Sequence, residues 1–164
     1  MAEHAIFLLL GSNLGDRMKQ LEEATAIISK TIGPVVLQSS TYETEPWGFS
    51  SEDKFLNKAI RAMTFLSPEE IMGKINEIEK MFGRERQDEG YSSRTLDIDI
   101  LFYDDLILDQ EGLKIPHPRL QDRRFVLVPL HEIAPRLVHP SLKKTIEELL
   151  FECKDEKEVF VFAN

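Results

Sequence analysis

The 164-residue chain has a single cysteine, Cys153, which excludes an internal disulfide and a cysteine-built zinc cluster. A small buried residue in a helix is the ordinary role for such a thiol. No apolar stretch reaches the roughly 20 residues that a membrane helix needs. The N-terminal MAEHAIFLLLGSN has no basic lead before its short apolar run, so it reads as a strand rather than a signal peptide. Internal repeats, low-complexity tracts and linkers are missing, and the length suits one domain spanning residues 1–164 with a real core. Positive charge is in the minority. Twenty Lys and Arg against 29 Asp and Glu leave a formal charge of −9, which argues against broad binding of nucleic acid or an anionic membrane. The expectation is a cytoplasmic monomer acting on small molecules.

The most informative stretch present is RTLDIDILFY, residues 94–103. As a strand of period two it puts Asp97, Asp99, Leu101 and Tyr103 on one face and Ile98, Ile100 and Phe102 on the other. Like charges at i and i+2, roughly 6.5–7 Å apart, repel unless something positive lies between them. Two readings follow: a wet edge of a half-buried strand, or a pair of oxygen ligands for a divalent cation. Mg²⁺ suits the second, because it commonly takes one or two carboxylates and completes its shell with water and phosphate oxygens. Arg94 precedes the pair, and Arg84 and Arg86 lie just upstream. Carboxylates for metal and guanidinium forks for phosphate together make up phosphoryl-transfer sites.

Around this strand the chain punctuates itself. AIFLLL, residues 5–10, is a continuous apolar run that suits a central strand. GSNLGDR then turns into a helix with apolar spacing from Met18 to Ile32, stopped by Gly33-Pro34; a phosphate-cradling turn and a plain strand-to-helix turn both fit. Residues 35–45 read as one strand ending at Pro46, followed by a loop carrying Trp47 and Phe49. Residues 55–66 read as a strand with Phe55, Asn57, Ala59 and Arg61 on one face, where a phenyl ring beside a carboxamide could stack a flat heterocycle and read its edge. Ser67-Pro68-Glu69-Glu70 starts a helix that Gly83 ends. RERQDEGYSSR is a lid candidate or a solvated loop. Beyond the Asp-x-Asp strand, LILD is expected to form its hairpin partner, and His117 sits between two prolines. FVLVPLHEIA reads as a helix in which Pro129 would cost less near the start, residues 141–153 as an amphipathic helix, and EKEVFVFAN as an edge strand.

Taken together, GSNLGDR, TYETEPWG, FLNKAI, FGRER, RTLDIDILFY and IPHPRLQDRRFVLVPL resemble the 6-hydroxymethyl-7,8-dihydropterin pyrophosphokinases of folate biosynthesis, in that family's order. The resemblance implies an α+β, ferredoxin-like three-layer fold, a mostly antiparallel sheet, and transfer of pyrophosphate from ATP to the pterin hydroxymethyl group with release of AMP. It further implies two Mg²⁺ ions on Asp97 and Asp99, with Arg84 and Arg94 steadying the transferring phosphoryl groups. Phe55 and Phe125 would sandwich the pterin, with Asn57, Thr44, Pro46 and Trp47 at its edge. Arg86, Arg94, His117 and Arg123 would meet ATP phosphates or ribose, while Asn76, Glu79, Ile100 and Lys114 fall where the family holds the nucleotide. Phe55, Tyr91 and Asn76 stand where members can carry tyrosine, tryptophan and glutamine. Loops 46–53 and 83–93 would close over the substrates. Two rivals remain from the residues alone: a nucleotidyltransferase, whose Gly-Ser turn normally lies much nearer its D-x-D strand, and a non-catalytic nucleotide sensor.

Overall fold

The computed structural model describes residues 2–13, 16–44, 55–83 and 96–162. Strand β1 (His4–Ser12) runs through the middle of the sheet, because Ile6 to Leu10 are apolar without interruption and buried on both faces. Helix α1 (Arg17–Thr31) follows, its first turn capped by the Asp16 carboxylate accepting from the Lys19 N–H. Then come β2 (Val35–Gln38), β3 (Tyr42–Thr44), β4 (Phe55–Thr64) and α2 (Pro68–Met81). Ser67 and Glu70 close a capping box at the start of α2. The remaining elements are β5 (Asp97–Tyr103), β6 (Leu108–Gln110), β7 (Leu113–Ile115), α3 (Arg124–Ile133), α4 (Ile146–Glu152) and β8 (Phe160–Val161).

The strand order is β5-β1-β4-β3-β8, with β2 also on β4, and every pairing among the described strands is antiparallel. This is an α+β chain with a βαββαβ core. One sheet face buries Ile6, Leu8, Leu10, Ile60 and Ile98 with Leu21 and Ile28 of α1 and Ile71 and Ile75 of α2. The other buries Phe7, Leu9, Ala59, Leu101 and Phe102 under Val126, Leu127 and Leu130 of α3 and Ile146 and Leu149 of α4. Among the described residues no helix is long and apolar enough to cross a membrane.

Four local expectations are corrected, and the place of Pro129 is fixed. Residues 35–45 are two strands: Ser39 donates its N–H to the Ala59 carbonyl while its Oγ takes the Ala59 N–H, so its hydroxyl interrupts the ladder. In β5 the alternation breaks after Leu101, because Phe7 opposes Phe102 but Leu8 opposes Ile100, leaving Leu101 as a bulge. Leu101 and Phe102 therefore both enter the α3/α4 core, and Tyr103 crosses to the opposite face, where its hydroxyl reaches the Leu66 carbonyl at 2.9 Å. LILD does not pair with β5; its last two residues begin β6, which pairs with β7 in a separate two-stranded sheet. Asp104 breaks away at φ 48 while accepting from the Ala5 N–H. Pro129 is the sixth residue of α3, its ring buried on the core face, so packing outweighs the missing amide. Finally, α4 begins only at Ile146, since Thr145 caps it and Lys143 adopts φ 58.

Candidate active site

The register of the sheet lines up one row of residues across four strands. Gly11 opposes Asp97 on β5 and Asn57 on β4, and Asn57 in turn opposes Tyr42 on β3. Strands lie about 4.8 Å apart, so the Cα atoms of Asp97 and Asn57 are roughly 10 Å apart with a glycine between them. Asp99 opposes Leu9 on the same face. Residues of this row share the face of α3 and α4, and Gly11 leaves the floor between acid and amide without a side chain. A Cβ on Gly11 would lie 2.9 Å from Asn57 Oδ1. Gly11→Ala is therefore expected to push the Asn57 carboxamide aside and weaken about tenfold the binding of a ligand that this carboxamide contacts, one misplaced hydrogen-bonding group being worth about 1.5 kcal/mol. Ligand titration of the variant beside the parent checks this; unchanged affinity would show that the floor has room to spare.

At the amide end, Asn57 is 4% exposed and its Nδ2 donates to Thr44 Oγ1 at 3.1 Å, which orients the carboxamide. Thr44 opposes Phe55 in the β3–β4 ladder. Phe125, at the second position of α3, is half-buried, and the Arg123 guanidinium lies 5.8 Å from its ring centroid. Helix α3 is tied to the sheet near its far end. Glu132 accepts from the Ser40 N–H at 3.0 Å and from the Tyr42 hydroxyl at 2.5 Å, and burial followed by this carboxylate pushes the Tyr42 hydroxyl up to about 12. Neither Tyr42 nor Glu132 stood out in the sequence. One is an ordinary strand tyrosine, the other an exposed helical acid, and they are 90 residues apart.

At the acid end, Glu79 of α2 is 3% exposed, and its Oε2 accepts the Ile98 N–H at 2.9 Å. That amide sits between Asp97 and Asp99. Asn76, one turn earlier on α2, is exposed. Ile100 buries its side chain in the α1/α2 core, so its backbone on the edge strand β5 is what it can present to a ligand. Lys114 on β7 is exposed and 3.6 Å from Asp109. His117 follows the cis Ile115-Pro116 bond, and its N–H donates to the carbonyl of the bulged Leu101 at 3.1 Å. Its Nδ1 accepts from the Arg119 N–H at 3.3 Å, which leaves the neutral ring's proton on Nε2. Burial, then the charges of Arg123 and Arg119, hold this imidazole below its usual pKa. The structure thus ties Glu79 to the backbone between Asp97 and Asp99, groups His117 with Arg123, and gathers Thr44, Phe55 and Asn57 along β3 and β4. Pro46, Trp47, Arg84, Arg86, Tyr91 and Arg94, with most of both lid candidates, lie outside the described residues.

Among the described residues no three His, Cys, Asp or Glu side chains cluster as a self-contained metal cage. Two neighbouring carboxylates beside an open floor nevertheless fit Mg²⁺, which takes few protein ligands when phosphate oxygens supply the rest.

Comparison with known proteins shows the family. The family model described as 7,8-dihydro-6-hydroxymethylpterin-pyrophosphokinase (HPPK) matches residues 7–135. A 2-amino-4-hydroxy-6-hydroxymethyldihydropteridine pyrophosphokinase of Aquifex aeolicus is 38% identical over 143 residues, covering 87% of this chain and 88% of the relative. One of the same name from Porphyromonas gingivalis is 40% identical over 139 residues, 83% of this chain and 94% of its own. In fold, the chain is similar to wild-type Plasmodium falciparum HPPK-DHPS crystallised with SDX-DHP, with a TM-score of 0.75 at 18% identity over 92% of this chain. At that identity the similarity shows the fold alone, and this chain spans 44% of the Plasmodium chain. With the family model over most of its length and full-length relatives near 40% identical, the chain belongs to the HPPK family, the pterin pyrophosphokinases of folate biosynthesis.

Proposed function

We propose that the row Asp97, Gly11, Asn57 is the axis of pyrophosphoryl transfer from ATP to the hydroxymethyl group of 6-hydroxymethyl-7,8-dihydropterin, with AMP as the other product. The observation that carries this is the register: it places a carboxylate and an amide on one face, one bare glycine apart. Phe55 and Phe125 sandwich the pterin, and Asn57, held by Thr44, reads its edge together with Pro46 and Trp47. With the ring stacked there, its hydroxymethyl group can extend over Gly11 toward Asp97. Asp97 and Asp99 would hold two Mg²⁺ ions, which would supply neutralisation of phosphate charge and favour ionisation of the attacking hydroxyl. Arg84 and Arg94 steady the transferring groups; Arg86, His117 and Arg123 take phosphate or ribose, and Asn76, Glu79, Ile100 and Lys114 the rest of the nucleotide. Positioning and charge stabilisation then account for most of the rate. The same reading makes the protein a one-domain cytoplasmic monomer working on small molecules.

The test is to incubate the protein with ATP, Mg²⁺ and the reduced hydroxymethylpterin and identify the products. AMP with pterin diphosphate supports the proposal, free pyrophosphate would mean nucleotidyl transfer, and no product would leave a nucleotide sensor.

His117 adds a pH signature. Because its folded pKa is lowered, its contribution to stability is full above the ordinary value of 6.5 and is lost as pH falls through the lowered one. A bound triphosphate acts in the opposite sense and raises that pKa. Nucleotide binding slightly below neutral pH is therefore expected to take up a fraction of a proton, measured by calorimetry in buffers of different ionisation enthalpy. His117→Asn should lose that uptake, and an unchanged uptake in the variant would remove His117 from the phosphate site.

A further inference from the structure

We infer that the C-terminal segment from Cys153 to Phe162 is a positioning element for the pterin subsite, holding α3 through Asp155 and β3 through β8. The inference rests on the assignment of Phe125, Thr44 and Asn57 to the pterin. Helix α3 has no side-chain cap of its own, since its N-cap residue is Arg123. The cap comes instead from 31 residues downstream: Asp155 Oδ2 accepts the Arg124 N–H at 3.0 Å, immediately before Phe125. Asp155 Oδ1 accepts from the Lys157 N–H at 3.0 Å, which fixes the carboxylate's orientation. A carboxylate at the positive end of a helix satisfies an orphan donor and opposes the helix dipole.

From Asp155 the chain runs on to the far side of the same subsite. Strand β8 pairs with β3, Val161 opposite Tyr42 and Phe160 opposite Glu43, and the Phe162 N–H donates to the Thr41 carbonyl at 2.8 Å. Arg17 secures this end, 3.2 Å from Glu43 and 5.6 Å from the centroid of the Phe162 ring. One short segment therefore fixes the helix end that carries Phe125 and the strand that carries Thr44, the hydrogen-bond partner of Asn57. It lies beyond residue 135, where the family match ends. Together with the Glu132 tie at the other end of α3, it sets how closely α3 lies over β3 and β4.

The experiment uses the full chain with Asp155→Ala, Asp155→Asn and Phe162→Pro, the last removing the N–H that bonds Thr41. Steady-state kinetics, nucleotide binding and thermal unfolding are measured on each. Asp155→Ala is expected to raise the pterin KM about fivefold, the scale of one lost helix cap, with kcat unchanged and a smaller rise in nucleotide Kd through the neighbouring Arg123. Asp155→Asn keeps an acceptor and should restore most of the loss, and Phe162→Pro should shift the pterin KM in the same direction as Asp155→Ala. A lower melting temperature with an unchanged pterin KM, or equal losses in pterin and nucleotide binding, would overturn the inference. Phe125→Ala and Asn57→Ala run in parallel separate the two levels. If they weaken pterin binding and Asp155→Ala does not, the strap fails alone; if they leave pterin binding intact, the subsite assignment fails and takes the strap with it.

Discussion

Asp97→Ala or Asp99→Ala is expected to lower kcat by at least about 10³-fold, because metal-assisted charge stabilisation is worth several kcal/mol and neither side chain has a substitute within the row. Among the described residues no third acid, histidine or cysteine completes a cluster around them. Removing one therefore leaves a single carboxylate where the described residues offer a pair. Pterin binding without nucleotide should change little, since Asn57 and Thr44 are held by β3–β4 pairing and by their own hydrogen bond. Asp97→Asn and Asp99→Asn keep the shape and lose the charge, and should shift the Mg²⁺ dependence of the residual rate to higher concentration. Stopped-time assays for AMP across a Mg²⁺ titration check both points. Turnover within tenfold of the parent in either alanine variant would remove the pair from the chemistry.

Glu79→Ala is expected to have the second largest effect, and it acts without any change to the aspartates. Glu79 is buried, and its Oε2 holds the Ile98 amide that lies between them. Deleting the carboxylate leaves that amide without this acceptor at an edge strand, at a cost of about 1–3 kcal/mol in stability. The geometric consequence is larger, because misplacement by about 1 Å can cost on the order of 10²-fold in rate. Thermal unfolding and kcat/KM should therefore fall together in Glu79→Ala. Glu79→Gln, which keeps an accepting oxygen, should recover more of the rate than alanine. If alanine lowers the melting temperature while kcat/KM stays within threefold, the contact serves the fold alone.

Much of the architecture was legible because its signals are local. The AIFLLL run, the Ser67-Pro68 helix start and the Gly83 stop each act within a few residues, and each stands where expected. The β5 alternation was readable up to Leu101 and not past it, because the bulge there is set by how Phe7 and Leu8 pack from the neighbouring strand. The same holds for LILD, whose partner is decided by the Asp104 turn and its bond to Ala5, a residue 99 positions earlier. Asp97 and Asp99 were visible as a motif, whereas Glu132 and Asp155 belong to none, and the TYETEPWG motif that holds Tyr42 gives no sign of its bond to Glu132.

What the sequence determined by itself was the identity of the chemical groups: paired acids on one strand face, a phenyl ring beside a carboxamide, arginines upstream, and a histidine set between prolines. Their types and short-range spacing suffice, since strand and helix periods fix which neighbours share a face. Only the tertiary structure decided that Gly11 is the bare floor between Asp97 and Asn57, that Glu79 underpins the acids, and that Asp155 and Glu132 brace α3. Those relations are contacts between strands and helices far apart in the chain, and register and packing depend on the whole core rather than on any window of residues.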